Sequence, residues 1–375
     1  MKYIWQHDSW PHFTWKSDPL LPLISHARLE QGKLISQLSG LGLGLNRQAQ
    51  AEVLIEEAVK TSAIEGERLN RESVRSSVAR RLGLSHAGLP APSRAVDGLV
   101  EALLEATQNY NKPLTAHRLK RWQAALFPTG YSGLSRIRVG KWRGSHPVRV
   151  VLGAVGHEKI HFEAPPGERV KKEMKAFLSW WGSTKGKEDG LLRAGLAHFY
   201  FVTIHPFEDG NGRIARALTD MALAQDEKLA TRYYSLSSQI MEERNDYYEI
   251  LERSQKGHGD LTEWLQWFFE CHIRAVDGAS KLVGDVLSRS AFWQAHDTAT
   301  INERQRKIVN RLLDAGKGGF QGGLTTRKYV SMAKTSRATA FREISDLVKK
   351  GVLCQKPAKG GRSVSYDLNW RVKRF

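Results

Sequence analysis

The stretch from Gly190 to Ala224 constrains the chain most. An amphipathic helix candidate, residues 190–204, runs directly into His205-Pro206. The pattern breaks at Gly210-Asn211-Gly212 and resumes as RIARALTDMALA, which has strong helix character. A Gly-Asn-Gly turn carries little side-chain bulk, so its backbone N–H groups can converge on one point. Those amides lie at a helix N-terminus, where the dipole adds to their attraction for phosphate. Arg213 and Arg216 are i and i+3 on that helix and therefore neighbours on one face. Two guanidinium groups beside an anion nest suit a polyphosphate chain. Asp209, just before the nest, is placed to hold the Mg²⁺ that such a chain brings. His205 supplies an imidazole that can take a proton from an attacking hydroxyl. Phe207 is expected to pack beneath the loop. A lone DGNG is usually a turn and a lone histidine usually a core residue. A base, a carboxylate, a glycine nest and two arginines within twelve residues are hard to explain that way. The sequence contains no GxxxxGK[ST], so the P-loop solution to the same problem is absent.

His205-Pro206-Phe207-Glu208-Asp209-Gly210-Asn211-Gly212-Arg213-Ile214-Ala215-Arg216 resembles the Fic family signature, HPFx[D/E]GNGRxxR, with no departure at a defining position. The resemblance implies a mainly α fold: a Fic helical core carrying a β-hairpin flap. It implies transfer of AMP from Mg-ATP to Ser, Thr or Tyr hydroxyls of proteins, the enzyme itself among them. His205 becomes the base, Asp209 the metal ligand and Gly210, Asn211 and Gly212 the phosphate cradle, with Arg213 and Arg216 on the phosphates. Relatives that act as kinases carry lysine in place of the second cradle glycine, and Gly212 argues against that branch. Thr61-Ser62-Ala63-Ile64-Glu65-Gly66 is similar to the family's inhibitory motif, [S/T]xxxE[G/N], which opens at Thr61. By that resemblance Glu65 pairs with Arg216 and keeps it from the γ-phosphate. Taken alone, the segment reads as a helix end. Tyr247 and Tyr248 resemble the family's Tyr-Tyr segment at the adenine, with core packing the alternative.

Along the chain, the sequence divides into an N-terminal helical cap with the inhibitory helix (1–93), a catalytic domain (94–280) and a C-terminal module (281–375). Trp5, Trp10, Phe13 and Trp15 read as core anchors of the cap, and Pro22 to Ser85 is helical in pattern. GLSHAGLPAPS (83–93) marks a loop, with helices expected at 94–110, 114–126 and 171–185. His146 to Phe162 reads as a hairpin, similar to the flap on which a family member lines up a target segment by strand addition. His157-Glu158-Lys159-Ile160-His161 matches the zinc-protease pattern HExxH, but that chemistry needs a helix and the context here is a strand.

The formal charge of +18 is unevenly placed. Residues 281–375 hold 20 Lys+Arg against 7 Asp+Glu, whereas residues 1–280 hold 37 against 32. A basic module on a near-neutral body suggests a polyanion partner. Helix candidates at 303–316, 326–333 and 336–350, then strands at 352–355 and 363–368, are the parts of a winged helix-turn-helix. In such a module Arg337, Thr339 and Arg342 face the DNA major groove, with Lys359 and Arg362 on the wing. A dimerisation or target-docking module of the same fold is the alternative, and a homodimer stays open. Two cysteines and the absence of an apolar run near ~18 residues point to a soluble, cytoplasmic protein. The leading expectation is an autoinhibited AMP transferase. Its rivals are an enzyme that mainly removes AMP and a DNA-binding regulator whose Fic module senses ATP.

Overall fold

The computed structural model describes residues 2–39, 43–152, 159–296, 299–316, 320–356 and 364–370. It is mainly helical, with short antiparallel strand pairs, and folds as two units, residues 1–280 and 281–375.

The first unit opens with α1 (Leu21–Ser39), α2 (Leu43–Ile64) and α3 (Arg71–Leu82), then α4 (Arg94–Gln108) and α5 (Ala116–Leu126). Side-chain caps fix the starts of three of these. Asn70 accepts from the Ser73 amide, Ser93 from Val96 and Thr115 from Arg118. A short hairpin, β1 (Tyr131–Ser132) and β2 (Ser135–Arg136), precedes β3 (Arg149–Leu152) and β4 (Lys159–Glu163). β3 and β4 pair antiparallel, with a register shift between Val150 and Val151. Residues 153–158 of the HExxH stretch and hairpin tip, His157 and Glu158 included, lie outside the described residues. From Lys159 onward the segment is strand, not helix. Then come α6 (Val170–Thr184), α7 (Gly190–Ile204), α8 (Asn211–Glu227), α9 (Leu236–Glu242), α10 (Arg244–Gln255) and α11 (Thr262–Ala295).

α7 departs from the amphipathic pattern expected of it. Leu191 and every residue from Arg193 to Ile204 are buried. A helix apolar on all sides belongs inside, surrounded by other elements, and α7 packs between α6 and α8. The Trp264 indole of α11 donates to the Gly195 carbonyl at 2.9 Å. The N-terminal aromatics complete the enclosure. Trp10 and Phe13 meet Tyr200 edge-on, Phe13 meets Phe199, and Trp5 donates to the Glu163 carbonyl at 2.8 Å. Of the four aromatics expected as core anchors, Trp5 is buried, whereas Trp10, Phe13 and Trp15 are partly buried.

The second unit holds the end of α11, then α12 (Glu303–Asp314), α13 (Thr326–Ala333), α14 (Arg337–Lys349), β5 (Leu353–Gln355) and β6 (Tyr366–Leu368). Its core joins Ile308, Leu312, Tyr329, Ile344, Leu347 and Leu353. Thr325 and Ser336 cap α13 and α14. β5 pairs antiparallel with β6, and an isolated bridge from Leu324 to Tyr366 adds a third strand position. Lys359, Arg362 and Ser363 lie outside the described residues. Among the described residues, no helix is long and apolar enough to cross a membrane.

Candidate active site

α7 ends on His205 in the left-handed region, φ 50°, with its amide bonded to the Phe201 carbonyl at 3.0 Å. This conformation is uncommon for a side-chain-bearing residue and needs support from its surroundings. Arg143 gives that support. Its Nε donates to the His205 carbonyl at 2.7 Å, its amide donates to the Pro206 carbonyl at 2.9 Å, and its guanidinium also reaches the Pro165 carbonyl. Asn211 closes the loop from the other side: its side-chain amide donates to Phe207 O and accepts from Phe207 N, both at 2.9 Å. The Asn211 side chain therefore shapes the cradle and does not line it. Phe207 is fully buried beneath the loop, as expected.

His205 Nδ1 lies 3.2 Å from the Val202 carbonyl. A carbonyl only accepts, so Nδ1 carries the proton of that bond and Nε2 keeps a free lone pair. The surrounding protein strips water from the ring and lowers its pKa to about 4. The Val202 bond, Glu65 and Asp209 oppose that shift, and the Arg143 charge adds to it. His205 is neutral at physiological pH, the form a base requires.

α8 begins at Asn211, after Gly210 at φ 88°. Both arginines of its first turns are engaged. Arg216, fully buried, donates from Nε to Thr61 Oγ1 at 2.6 Å. Its Nη2 donates to the Thr61 carbonyl at 2.9 Å and to Glu65 Oε1 at 2.7 Å. Burial works against its charge, but Glu65 and the two nearby tyrosine hydroxyls overcome that and raise its pKa. Nη1 of Arg216 is buried with no hydrogen-bond partner. Arg213 pairs with Glu67 at 2.9 Å, stands 3.7 Å from Asp209, and lies over the Phe127 ring at 4.9 Å.

The acidic partners come from the end of α2. The Gly66 amide bonds Ala63 O and the Glu67 amide bonds Ser62 O, both at 3.0 Å, with Gly66 at φ 85°. This is a Schellman closure, whose left-handed position favours glycine. It leaves Glu65 and Glu67 on either side of one fixed turn. Arg244 Nε (2.8 Å) and the Tyr248 hydroxyl (3.3 Å) both donate to the Ile64 carbonyl. Deeper in α2, Glu57 accepts from the Ser235 hydroxyl at 2.7 Å and the Ser237 amide at 3.1 Å at the start of α9. Gly212 leaves room for the Glu65–Arg216 pair: a Cβ there would sit 2.1 Å from Glu65 Oε1, so a larger residue would push the carboxylate aside.

A cleft of about 670 Å³ opens beside this turn, lined among others by Glu65, Gly66, Glu67, Tyr131, Asp209 and Arg213. Asp209 accepts from the Gly210 amide and the Ser132 hydroxyl. Among the described residues, no three His, Cys, Asp or Glu side chains group around one point to hold a metal. One open carboxylate still fits Mg²⁺, which takes a carboxylate together with phosphate oxygens.

The two tyrosines expected near an adenine face different neighbours. Tyr247 is a core residue, 2% exposed, its hydroxyl 2.9 Å from His198 Nε2. Tyr248 is given to the end of α2, and neither tyrosine lines the cleft. Arg143, Ser132 and Glu67 escaped the sequence reading. Glu67 alone carried a signal, as a second acid across Gly66 from Glu65.

Residues 113–223 match the family model described as Fic/DOC family, and residues 3–84 match a domain of unknown function, DUF4172. A protein adenylyltransferase Fic of Nematostella vectensis is 35% identical over 119 residues, 30% of this chain and 25% of that protein. Another of the same name, from Aedes aegypti, is 24% identical over 254 residues, 67% of this chain and 46% of that protein. The chain thus spans between a quarter and about half the length of these relatives. In fold, it is similar to a Fic family protein from Desulfovibrio desulfuricans G20, with TM-score 0.56, 20% identity and coverage of 97% and 99% of the two chains. It is also similar to a Fic domain-containing signaling protein from Bacteroides thetaiotaomicron, with TM-score 0.50, 19% identity and coverage of 71% and 98%. This chain carries a Fic/DOC domain at residues 113–223, and the loop and helix start at 205–216 lie within it.

Proposed function

We propose that the chain is a protein adenylyltransferase restrained by the end of its own α2, moving AMP from Mg-ATP to a Ser, Thr or Tyr hydroxyl of a protein, itself included. The observation that carries this reading is the Glu65–Arg216 pair beside His205 at the start of α8. His205 Nε2 takes the proton of the target hydroxyl as its oxygen attacks the α-phosphorus. The bond from that phosphorus to the bridging oxygen breaks, and pyrophosphate leaves. Arg213, Arg216 and the amides opening α8 hold the phosphates. Asp209 would hold Mg²⁺, which would supply positive charge to the phosphates. Arg143 and Asn211 act as positioning residues for the loop. β3 and β4 serve as a flap for an extended target segment. With Glu65 on its guanidinium, Arg216 is unavailable to the γ-phosphate and ATP binds unproductively. Two free cysteines suit a reducing, cytoplasmic setting. Incubation with labelled ATP, Mg²⁺ and cell lysate tests the reading. Glu65→Gly should label proteins more strongly than the natural chain. If Glu65→Gly loses only the removal of AMP from a modified target, the activity is AMP removal.

A second reading concerns residues 281–375, taken as a winged helix-turn-helix on duplex DNA. Arg337, Phe341 and Arg342 are exposed on α14, the second helix after a tight turn, on a strongly basic unit. The Thr339 hydroxyl lies 2.9 Å from that of Ser336, so Thr339 belongs to the cap. Duplex binding absent even at low salt would leave target docking or dimerisation.

A further inference from the structure

The two arginines of α8 are held by two different acids. Glu65 meets Arg216, and Glu67 meets Arg213 at 2.9 Å. Arg213 and Arg216 lie one turn apart, so their guanidinium groups face neighbouring points of one bound polyphosphate. Glu65 and Glu67 flank Gly66, and the two backbone bonds of the helix end fix their spacing. We propose that Glu67 is a second latch, which withholds Arg213 from Mg-ATP while Glu65 withholds Arg216. The proposal rests on the reading of this site as a restrained adenylyltransferase and extends its regulation to the other arginine.

The latches are unequal. Arg216 is 1% exposed and Glu65 30%, whereas Arg213 is 9% and Glu67 47%. Water and salt screen the outer pair more than the inner one. Glu67 also lines the open cleft, so it can swing away without unpacking anything. The outer latch therefore yields first to an arriving phosphate chain, and its weight shows once the inner latch is gone. This also predicts that Glu65→Gly leaves a residual restraint, because Glu67 still neutralises Arg213.

Equilibrium binding of Mg-ATP to the full-length chain tests this without relying on turnover. Glu67→Gln keeps the size of the side chain and removes the charge at an exposed position. In the Glu65→Gly background it should tighten Mg-ATP binding about three- to fivefold, the range of a half-exposed ion pair. In the natural background the gain should be about twofold or less, because Arg216 stays held. Near 1 M NaCl, where the Debye length is about 3 Å, the gain should vanish. Adding Arg213→Gln should also abolish it, since the latch acts through that guanidinium. If Glu67→Gln changes affinity in neither background, the second latch does not exist. If its gain survives Arg213→Gln, Glu67 merely repels phosphate and the latch is overturned. If Glu65→Gly binds no tighter than the natural chain while Glu67→Gln does, the inner restraint fails and the outer one stands.

Discussion

The start of α8 and the start of α14 use the same material to opposite ends. Each follows a tight turn and carries two arginines. On α8, both guanidinium groups are buried and each meets a carboxylate from the end of α2. On α14, Arg337 and Arg342 are exposed, and neither has an ion-pair partner among the described residues. An anion site filled by the chain's own acids opens only when those acids leave, so conformation governs it. An open basic helix answers only to the concentration of polyanion and salt. On the proposed reading, the same chemistry is switched in one unit and standing in the other.

The comparison breaks most sharply at the base. His205→Ala should lower AMP transfer by about 10²–10⁴, while Mg-ATP binding stays close to that of the natural chain. The loop keeps its shape through Asn211 and Arg143, whose bonds go to backbone atoms. Transfer within tenfold of the natural chain, read by incorporation of labelled AMP, would remove His205 from the mechanism.

Next in size is the inner latch. Glu65→Gly should raise transfer and self-labelling by an order of magnitude or more, since every ~1.4 kcal/mol of bias shifts the competent population tenfold. Combining it with Arg216→Ala should cancel the gain, because the same arginine benefits. An unchanged rate would reduce the turn at 62–67 to a helix end. The exposed arginines of the second unit should respond differently. If it binds duplex DNA, changing Arg337 and Arg342 to alanine should reduce the slope of log K against log salt by about 2, one for each phosphate no longer neutralised. An unchanged slope would place DNA, if bound at all, elsewhere on the unit.

How much of this was legible beforehand depends on whether the interaction is local in sequence. The 205–216 loop could be read because its parts are consecutive and each has a geometric reason to be there. Helical stretches in both units followed from apolar spacing, but not the breaks that divide residues 21–82 into three helices. The burial of α7 on every side did not, since periodicity shows a stripe but not what encloses the remaining faces. Arg143 was invisible because nothing within residues 140–146 indicates a bond to the His205 carbonyl some sixty positions on. Tyr247 and Tyr248 were legible as a pair but not in direction. One turns into the core toward His198 and the other toward the end of α2. A helix face is settled by what packs against it, and two adjacent residues on a helix point to different neighbours.

The smallest expected effect is the most specific to the surroundings of His205. An ordinary imidazole with a pKa near ~6.5 would be almost wholly protonated at pH 5, and a reaction that needs it as a base would slow about thirtyfold between pH 8 and pH 5. Here burial lowers the pKa of His205 to about 4. The direction matters: a depressed pKa keeps the ring neutral down to lower pH, so base function is lost only as pH falls through that value. Single-turnover transfer by the Glu65→Gly chain, with nucleotide and Mg²⁺ saturating, should therefore change by less than about twofold between pH 8 and pH 5, because the ring stays about nine-tenths neutral there. Removing Glu65 itself acts in the same direction, since that carboxylate raises the pKa of His205. A tenfold fall by pH 5.5 would mean that the ring regains water once the turn at 62–67 is released. The neutral His205 seen here would then belong to the restrained state alone.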